Sequence, residues 1–140
     1  MKPYLLFTLV GLLSLCTATG IAQKQPAPTE SYVEVLYFHG KQRCATCKAI
    51  EKETREVVFT ELAERVARGE LRFREVDLST PEGEKLADQY RVTWSSLYVN
   101  LWKEGRETRN DMTRFGFQYA RNQSDVFRKG LIEKIEQLLK

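Results

Sequence analysis

Cys44 and Cys47, which are separated by Ala45 and Thr46, have the type and spacing of a redox pair. At helical positions i and i+3 the Cβ atoms are neighbours, so the two sulfurs can form a disulfide. A bridge that closes so short a loop restrains the unfolded chain little and would stabilise the fold only weakly. We therefore predict thiol–disulfide exchange at this pair, and a structural disulfide is the alternative.

The residues around the pair predict that Cys44 is the attacking sulfur. We expect it at the N-terminus of a helix, where free backbone N–H groups and the helix dipole favour a thiolate. Lys41, Arg43 and Lys48 add positive charge nearby. Cys44 should therefore be exposed with a lowered pKa, whereas Cys47, one turn further on an apolar stripe, should be buried and resolve the mixed disulfide.

This chemistry requires no cofactor, and the chain offers few ligands for a metal. Zinc takes about four ligands, and the only other ligand near the pair is His39, the single histidine. Covalent haem attachment needs a histidine directly after the second cysteine, where Lys48 stands. A Cu(I) site on Cys44, Cys47 and His39 remains an alternative. His39 is otherwise a proton partner of the pair or a strand-end histidine bonded to a loop.

The elements that must position the pair are a strand before it and a helix after it. Residues 32–39 are rich in β-branched and aromatic side chains on both faces, which predicts a strand buried on both sides. Apolar residues recur at helical spacing over 44–68, and Gly69 would end that helix. A polar loop, 40–43, joins the two.

The rest of the chain alternates between strand and helix patterns. Ser79 and Glu82 resemble a capping box with Pro81 in the first turn, and Ser124-Asp125 should cap the last helix. We expect Trp102 and Phe127 in the core. Three further aromatic residues form either an exposed docking patch or, as we expect, part of the core: Phe115, Phe117 and Tyr119. The remaining predicted elements are a strand over 71–78 with a bulge near Glu75, a helix to about Tyr90, and strands over 96–102 and 107–114.

A strand ending in Tyr37-Phe38-His39, a Cys-x-x-Cys that opens a long helix, and then β-α-β-β-α resembles the thioredoxin-like fold. The resemblance covers residues 32–140. It implies an α/β three-layer sandwich, with a central mixed sheet of about four strands flanked by helices. It also implies that Cys44 is the attacking cysteine and Cys47 the resolving one.

A narrower resemblance is carried by three segments: Tyr37-Phe38-His39-Gly40, Arg43-Cys-Ala-Thr-Cys-Lys-Ala-Ile50 and Val92-Thr-Trp-Ser-Ser-Leu97. Together they resemble the small exported proteins called ArsF-type, which are labelled as a subunit of a nitrophenyl-compound nitroreductase. That label implies a third possibility, a non-catalytic accessory subunit of a redox complex.

The sequence departs from thioredoxins at several positions around the pair. Arg43 replaces the usual tryptophan, and Ala45-Thr46 replaces the usual Gly-Pro. No acid stands in Leu36-Tyr37-Phe38, where thioredoxins carry a buried carboxyl group. In the loop where thioredoxins place a cis-proline, Ser95 takes that position, with Ser96 as the alternative. The resemblance makes the adjacent Trp94 a wall of the substrate groove.

The first thirty residues predict export. Lys2, an apolar run over 5–15 and Gly20-Ile21-Ala22 form the three regions of a signal peptide, which we expect to be cleaved after Ala22. Residues 23–30 read as a flexible lead-in to one domain, 31–140. An uncleaved anchor and lipidation at Cys16 are the membrane-bound alternatives.

Composition limits the partners further. The chain of 140 residues has a net charge of +3 from 22 basic and 19 acidic residues, and no basic run predicts a nucleic-acid partner. We expect a periplasmic monomer whose partners are proteins with thiols or disulfides and a second protein that recharges the pair.

Overall fold

The computed structural model describes residues 31–140 and centres on a four-stranded mixed sheet. Strand β1 (Ser31–His39) lies between β2 (Leu71–Asp77), which is parallel to it, and β3 (Ser96–Lys103), which is antiparallel. The short β4 (Arg106–Thr108) pairs with β3 at the edge. The predicted signal peptide 1–22, the lead-in 23–30 and Cys16 lie outside the described residues.

β1 is buried on both faces, as its sequence predicts. Val33, Val35 and Tyr37 belong to one core cluster, and Leu36 and Phe38 belong to a second cluster on the other face of the sheet. All five side chains have no solvent exposure. A strand with two apolar faces requires a cover on each side, so the architecture must have three layers.

Helices provide that cover on both faces. The larger cluster packs Ile50, Phe127, Leu131 and Ile135 against the sheet, and the smaller one packs Ala87 with Tyr90 and Val92. The helices in chain order are α1 (Ala45–Glu56), a π-helical turn (Val57–Glu61), α2 (Ala63–Ala67), α3 (Pro81–Tyr90), α4 (Thr113–Tyr119) and α5 (Ser124–Leu138). Only α3 contributes to the smaller cluster. This strand order and layering confirm the predicted thioredoxin-like fold.

The single helix predicted over 44–68 is interrupted. The Leu62 amide donates to the Val57 carbonyl at 2.8 Å, five residues back, and this bond closes the π-helical turn. The extra residue lets the consecutive Val57 and Val58 both reach the core, where neither is exposed. In the sequence, two adjacent apolar residues within the helical stripe are the feature that indicates this turn.

Two predictions about β2 and α3 are wrong. The register of β1 with β2 runs without interruption from Val33–Leu71 to His39–Asp77, so Glu75 marks no bulge. The cap of α3 is Thr80, whose hydroxyl oxygen accepts from the Gly83 amide at 3.1 Å. Ser79 lies in the turn before the helix, where its hydroxyl donates to the Asp77 carboxylate at 2.7 Å.

The C-terminal third also differs from the prediction. The fourth strand ends at Thr108 and does not continue to residue 114 as predicted. The end of the predicted range, from Thr113, belongs to α4 instead. The residue at the N-cap of α5 is Gln123, and no side chain caps that helix.

The two aromatic residues predicted for the core differ in burial. Phe127 is buried as predicted. Trp102 is only half-buried and stacks on Tyr32, with ring centroids 6.1 Å apart.

Within residues 31–140, the helices are all too short or too polar to cross a lipid bilayer.

A substitution at Gly83 tests the contact between α3 and the end of β2. A Cβ at this position would overlap the Asp77 carbonyl, which already accepts from the Thr80 hydroxyl, so Gly83→Ala must displace backbone. We expect the free energy of unfolding to fall by about 2 kcal/mol or more. Denaturant unfolding measures it. Gly40→Ala is the matched control because a Cβ there meets nothing, and an equal loss in both variants would contradict the prediction.

Candidate active site

Cys44 and Cys47 lie at the start of α1, directly after the loop that follows β1. Cys44 is the N-cap, with extended backbone (φ −68°, ψ 167°), and its Sγ accepts from the Cys47 amide at 3.2 Å. The two sulfurs are 2.7 Å apart, and both are free thiols. Cys44 is exposed whereas Cys47 is buried, which confirms the predicted difference in access.

Hydrogen bonds at the helix start favour the Cys44 thiolate. They lower the Cys44 pKa, and the largest contribution is the bond from the Cys47 thiol, followed by the Cys47 backbone N–H. Slight burial opposes the shift, and the Thr46 amide adds to it. The sequence suggested nearby cations as a further cause, but the main contributions come from the Cys47 thiol and from backbone N–H groups that the helix start leaves free.

His39 is held by its neighbours. It is 6% exposed, and its two ring nitrogens lie 3.3 Å from an Arg43 guanidinium nitrogen and 3.2 Å from the Gly40 carbonyl oxygen. Because arginine can only donate, Nε2 accepts and Nδ1 carries the proton that is donated to Gly40. Arg43 is itself paired with Glu51. Both nitrogens are therefore engaged, as in the prediction of a strand-end histidine bonded to a loop.

A three-ligand metal site does not form around the pair. Among residues 31–140, no three or more His, Cys, Asp and Glu side chains are grouped in a way that could hold a metal ion. His39 would have to give up its bond to Arg43 or to Gly40 before it could join the two thiols as a ligand.

Tyr37 is the functional residue that the sequence did not reveal. Its hydroxyl donates to the Cys47 carbonyl at 2.7 Å, and the Ser95 side chain lies close enough to the same hydroxyl to affect its pKa. Burial and the charge of Cys47 raise the pKa of Tyr37 to about 12, although Ser95 and Arg43 oppose the shift. Tyr37 is therefore a protonated donor at neutral pH. It lies in the strand segment where the resemblance to thioredoxins implies a buried carboxyl group.

The loop before β3 reaches the pair through one of its two serines. Ser95 is buried and lies beside the Tyr37 hydroxyl that donates to Cys47, which makes it the serine that faces the site. Ser96 is also buried, but its hydroxyl donates to the Trp94 carbonyl at 3.1 Å and so stabilises the loop itself. The sequence offered either serine for the position that faces the pair, and the structure favours Ser95.

Trp94 forms one wall of an open apolar groove. Its side chain is 61% exposed, and its ring lies 5.3 Å from the ring of Phe117 in α4. The groove has a volume of about 390 Å³ and is completed by Asp111, Thr113 and Arg114. Phe117 therefore joins the groove, whereas the other two aromatic residues of α4 pack inward, with the Phe115 ring stacked on Phe127.

The remaining predicted residues surround Cys44. Lys41, Ala45 and Lys48 are exposed, and Thr46 is half-buried in the first turn of α1. The structure thus brings the loop, the cysteine pair and Ser95 together around one helix end. This arrangement supports thioredoxin-like redox chemistry.

No protein-family model and no curated protein matches this chain. Among the solved structures that resemble it are two thioredoxins and a malarial protein. A thioredoxin from Thermus thermophilus is 18% identical with a TM-score of 0.48, covering 76% of this chain and 73% of its own. A thioredoxin from Fasciola hepatica is 22% identical with a TM-score of 0.47, covering 76% and 80%. A malarial protein is 23% identical with a TM-score of 0.41, covering 71% and 96%.

At identities and TM-scores this low, the fold assignment rests on the strand order and helix placement described above. The narrower resemblance to ArsF-type proteins stays a prediction.

The lowered pKa of Cys44 predicts its reactivity with pH. In the reduced protein, the alkylation rate at Cys44, followed by peptide mass mapping, should have its midpoint below the ordinary thiol pKa. Cys47→Ala should move that midpoint upwards because it removes the largest favourable hydrogen bond. A midpoint at the ordinary value in both proteins would contradict this.

The same shift predicts how stability depends on pH. Because the folded pKa of Cys44 is the lower one, the thiolate's contribution is complete above the unfolded pKa. It is lost as the pH falls through the folded value. Denaturant unfolding of the reduced protein across this range should show the loss, and Cys44→Ser should remove that part of the pH dependence.

Tyr37→Phe tests the bond beneath the pair. The variant keeps the ring but removes the donor to the Cys47 carbonyl, so the free energy of unfolding should fall by about 1–2 kcal/mol. Denaturant unfolding measures the change. Tyr32→Phe is the control, since that half-buried tyrosine lies at the opposite end of the same strand, and equal losses would show that the effect is not specific.

Proposed function

We propose that this protein is an exported, periplasmic thiol–disulfide oxidoreductase that acts on protein partners through Cys44 and Cys47. The observation that carries the proposal is the asymmetry of the pair. An exposed sulfur caps a helix and accepts hydrogen bonds, while a buried thiol lies 2.7 Å away, ready to displace whatever binds the first.

Reduction of a substrate would proceed in two displacements. The Cys44 thiolate attacks one sulfur of the substrate disulfide, a new S–S bond joins them, and the other substrate sulfur leaves as a thiolate that takes up a proton. Cys47 then loses its proton and attacks Cys44, which releases the second substrate thiol. The substrate gains two electrons, and the cysteine pair becomes a disulfide.

The same two steps run in reverse when the oxidised pair meets a dithiol. Either direction needs a second protein that restores the starting state of the pair by the same exchange chemistry. Tyr37 stays protonated throughout and holds the backbone of Cys47 in place, so it is a positioning residue.

Two observations favour this exchange over Cu(I) carriage. The third copper ligand considered for the site, His39, has both ring nitrogens in hydrogen bonds. The sulfurs also have unequal access, which suits an attacking and a resolving role. The signal-like residues 1–22 support export to the periplasm. The periplasm is an oxidising compartment, in which the disulfides of exported proteins form and persist.

Trapping tests the proposal directly. In Cys47→Ala the second displacement is removed, so mixed disulfides should accumulate on Cys44 when the reduced protein meets disulfide-containing proteins. Non-reducing gels and mass spectrometry of the linked peptides measure them, with Cys44→Ser as the matched control. Equal capture by both variants, together with no disulfide reductase or oxidase activity in the wild type, would contradict the proposal and favour an accessory subunit.

A further inference from the structure

A basic stripe leads away from Cys44 along the exposed side of α1. Lys48, Lys52 and Arg55 recur at helical spacing, and the loop adds Lys41 and Arg43. These five cations and one carboxylate, Glu51, line an open cavity of about 520 Å³. For a chain with a net charge of only +3, this is a strong local concentration of positive charge.

Part of this charge is held in salt bridges within residues 31–140, and part of it is not. Arg43 is paired with Glu51, and Arg55 with Glu75 at 2.7 Å. The Lys52 ammonium is 3.4 Å from Glu53, but its side chain is 81% exposed.

Lys41 and Lys48 form no salt bridge within residues 31–140, and both side chains are exposed. The stripe therefore offers several cations to an external anion.

We propose that the basic stripe binds acidic side chains of the polypeptide whose disulfide reacts with Cys44. This inference rests on the proposed function and names its substrate class. The stripe begins one helical turn after the attacking sulfur, with Lys48, so a chain whose disulfide lies over Cys44 can continue along α1. That route carries five cations and one carboxylate, whereas the groove of Trp94 carries one of each, so it matches a segment rich in Asp and Glu.

The dimensions of the stripe indicate where those acids should lie. At a rise of about 1.5 Å per residue, the distance along α1 from Cys44 to Arg55 is about 16 Å. An extended chain covers that distance in about five residues. We therefore place the acidic residues within about five positions of the reacting cysteine, on one side of it.

Long-range attraction of this kind acts on the encounter rather than on the covalent step. Complementary charge raises the association rate, and salt screens it over a Debye length of about 10 Å at 0.1 M. The exchange itself is the displacement described above, with no additional reactant.

The test compares two peptides that share one disulfide and differ on one side of it. The first carries Asp or Glu in the flanking positions and the second carries Asn or Gln there. With the reduced wild-type protein at low salt, we expect the second-order exchange rate to be about tenfold higher for the acidic peptide. The ratio of the two rates should fall towards one in 1 M salt.

Charge removal on the stripe supplies the matched comparison. The double variant Lys48→Gln with Lys52→Gln should lower the acidic-to-neutral ratio by about threefold or more. Using the ratio cancels any change in the reactivity of Cys44 itself. Lys85→Gln is the control, since Lys85 is an exposed lysine of α3, on the other face of the sheet, and it should leave the ratio unchanged.

Three results would overturn the inference. Equal rates for the two peptides in the wild type would remove the acidic substrate and leave the oxidoreductase function intact. No exchange with either peptide would overturn both proposals. Equal peptide rates together with binding to anionic phospholipid vesicles that the double variant loses would assign the stripe to a membrane surface instead.

Discussion

The hydrogen bond from the Tyr37 hydroxyl to the Cys47 carbonyl joins the centre of the sheet to the first turn of α1. Tyr37 belongs to β1, which is packed from both sides and has little freedom to move. Because Ser95 lies beside the same hydroxyl, three separate segments meet around it. The position of both sulfurs therefore depends on a strand that is buried on both faces.

This arrangement differs in charge from one built on a buried carboxylate. With a pKa raised to about 12, Tyr37 remains neutral over the pH range in which Cys44 ionises. A neutral donor adds no negative charge beneath the pair that would oppose a thiolate. The negative charge of the reduced site is therefore placed on Cys44, at the helix end and next to the cations of the loop.

The parts of the fold that follow local rules could be predicted from the sequence. The two apolar faces of residues 32–39 predict a central strand, and the cysteine spacing with the helical pattern after it places the pair at a strand-to-helix junction. Burial of Phe127 follows from the same periodicity. These features depend on which side chains must leave water, and that information is local.

The predictions that were wrong concern positions where the sequence allows more than one local structure and tertiary contacts determine which one forms. Ser79 and Thr80 can each cap a helix, and the path of the turn after β2 places Thr80 at the cap while Ser79 donates to the Asp77 carboxylate. The π-helical turn depends on a core that has room for both Val57 and Val58. Tyr37 reads as one more apolar residue of a strand, since nothing in its neighbours along the chain shows that Cys47 and Ser95 lie beside its hydroxyl.

The role of Cys44 as the cap of α1 links helix stability to the oxidation state. A thiolate is a stronger acceptor for the Cys47 amide than a sulfur in a disulfide, because only the thiolate carries charge. The first turn of α1 is thus held more firmly in the reduced protein. Stabilising the reduced form raises the reduction potential of the cysteine couple, so the geometry of the cap contributes to the balance between its two oxidation states.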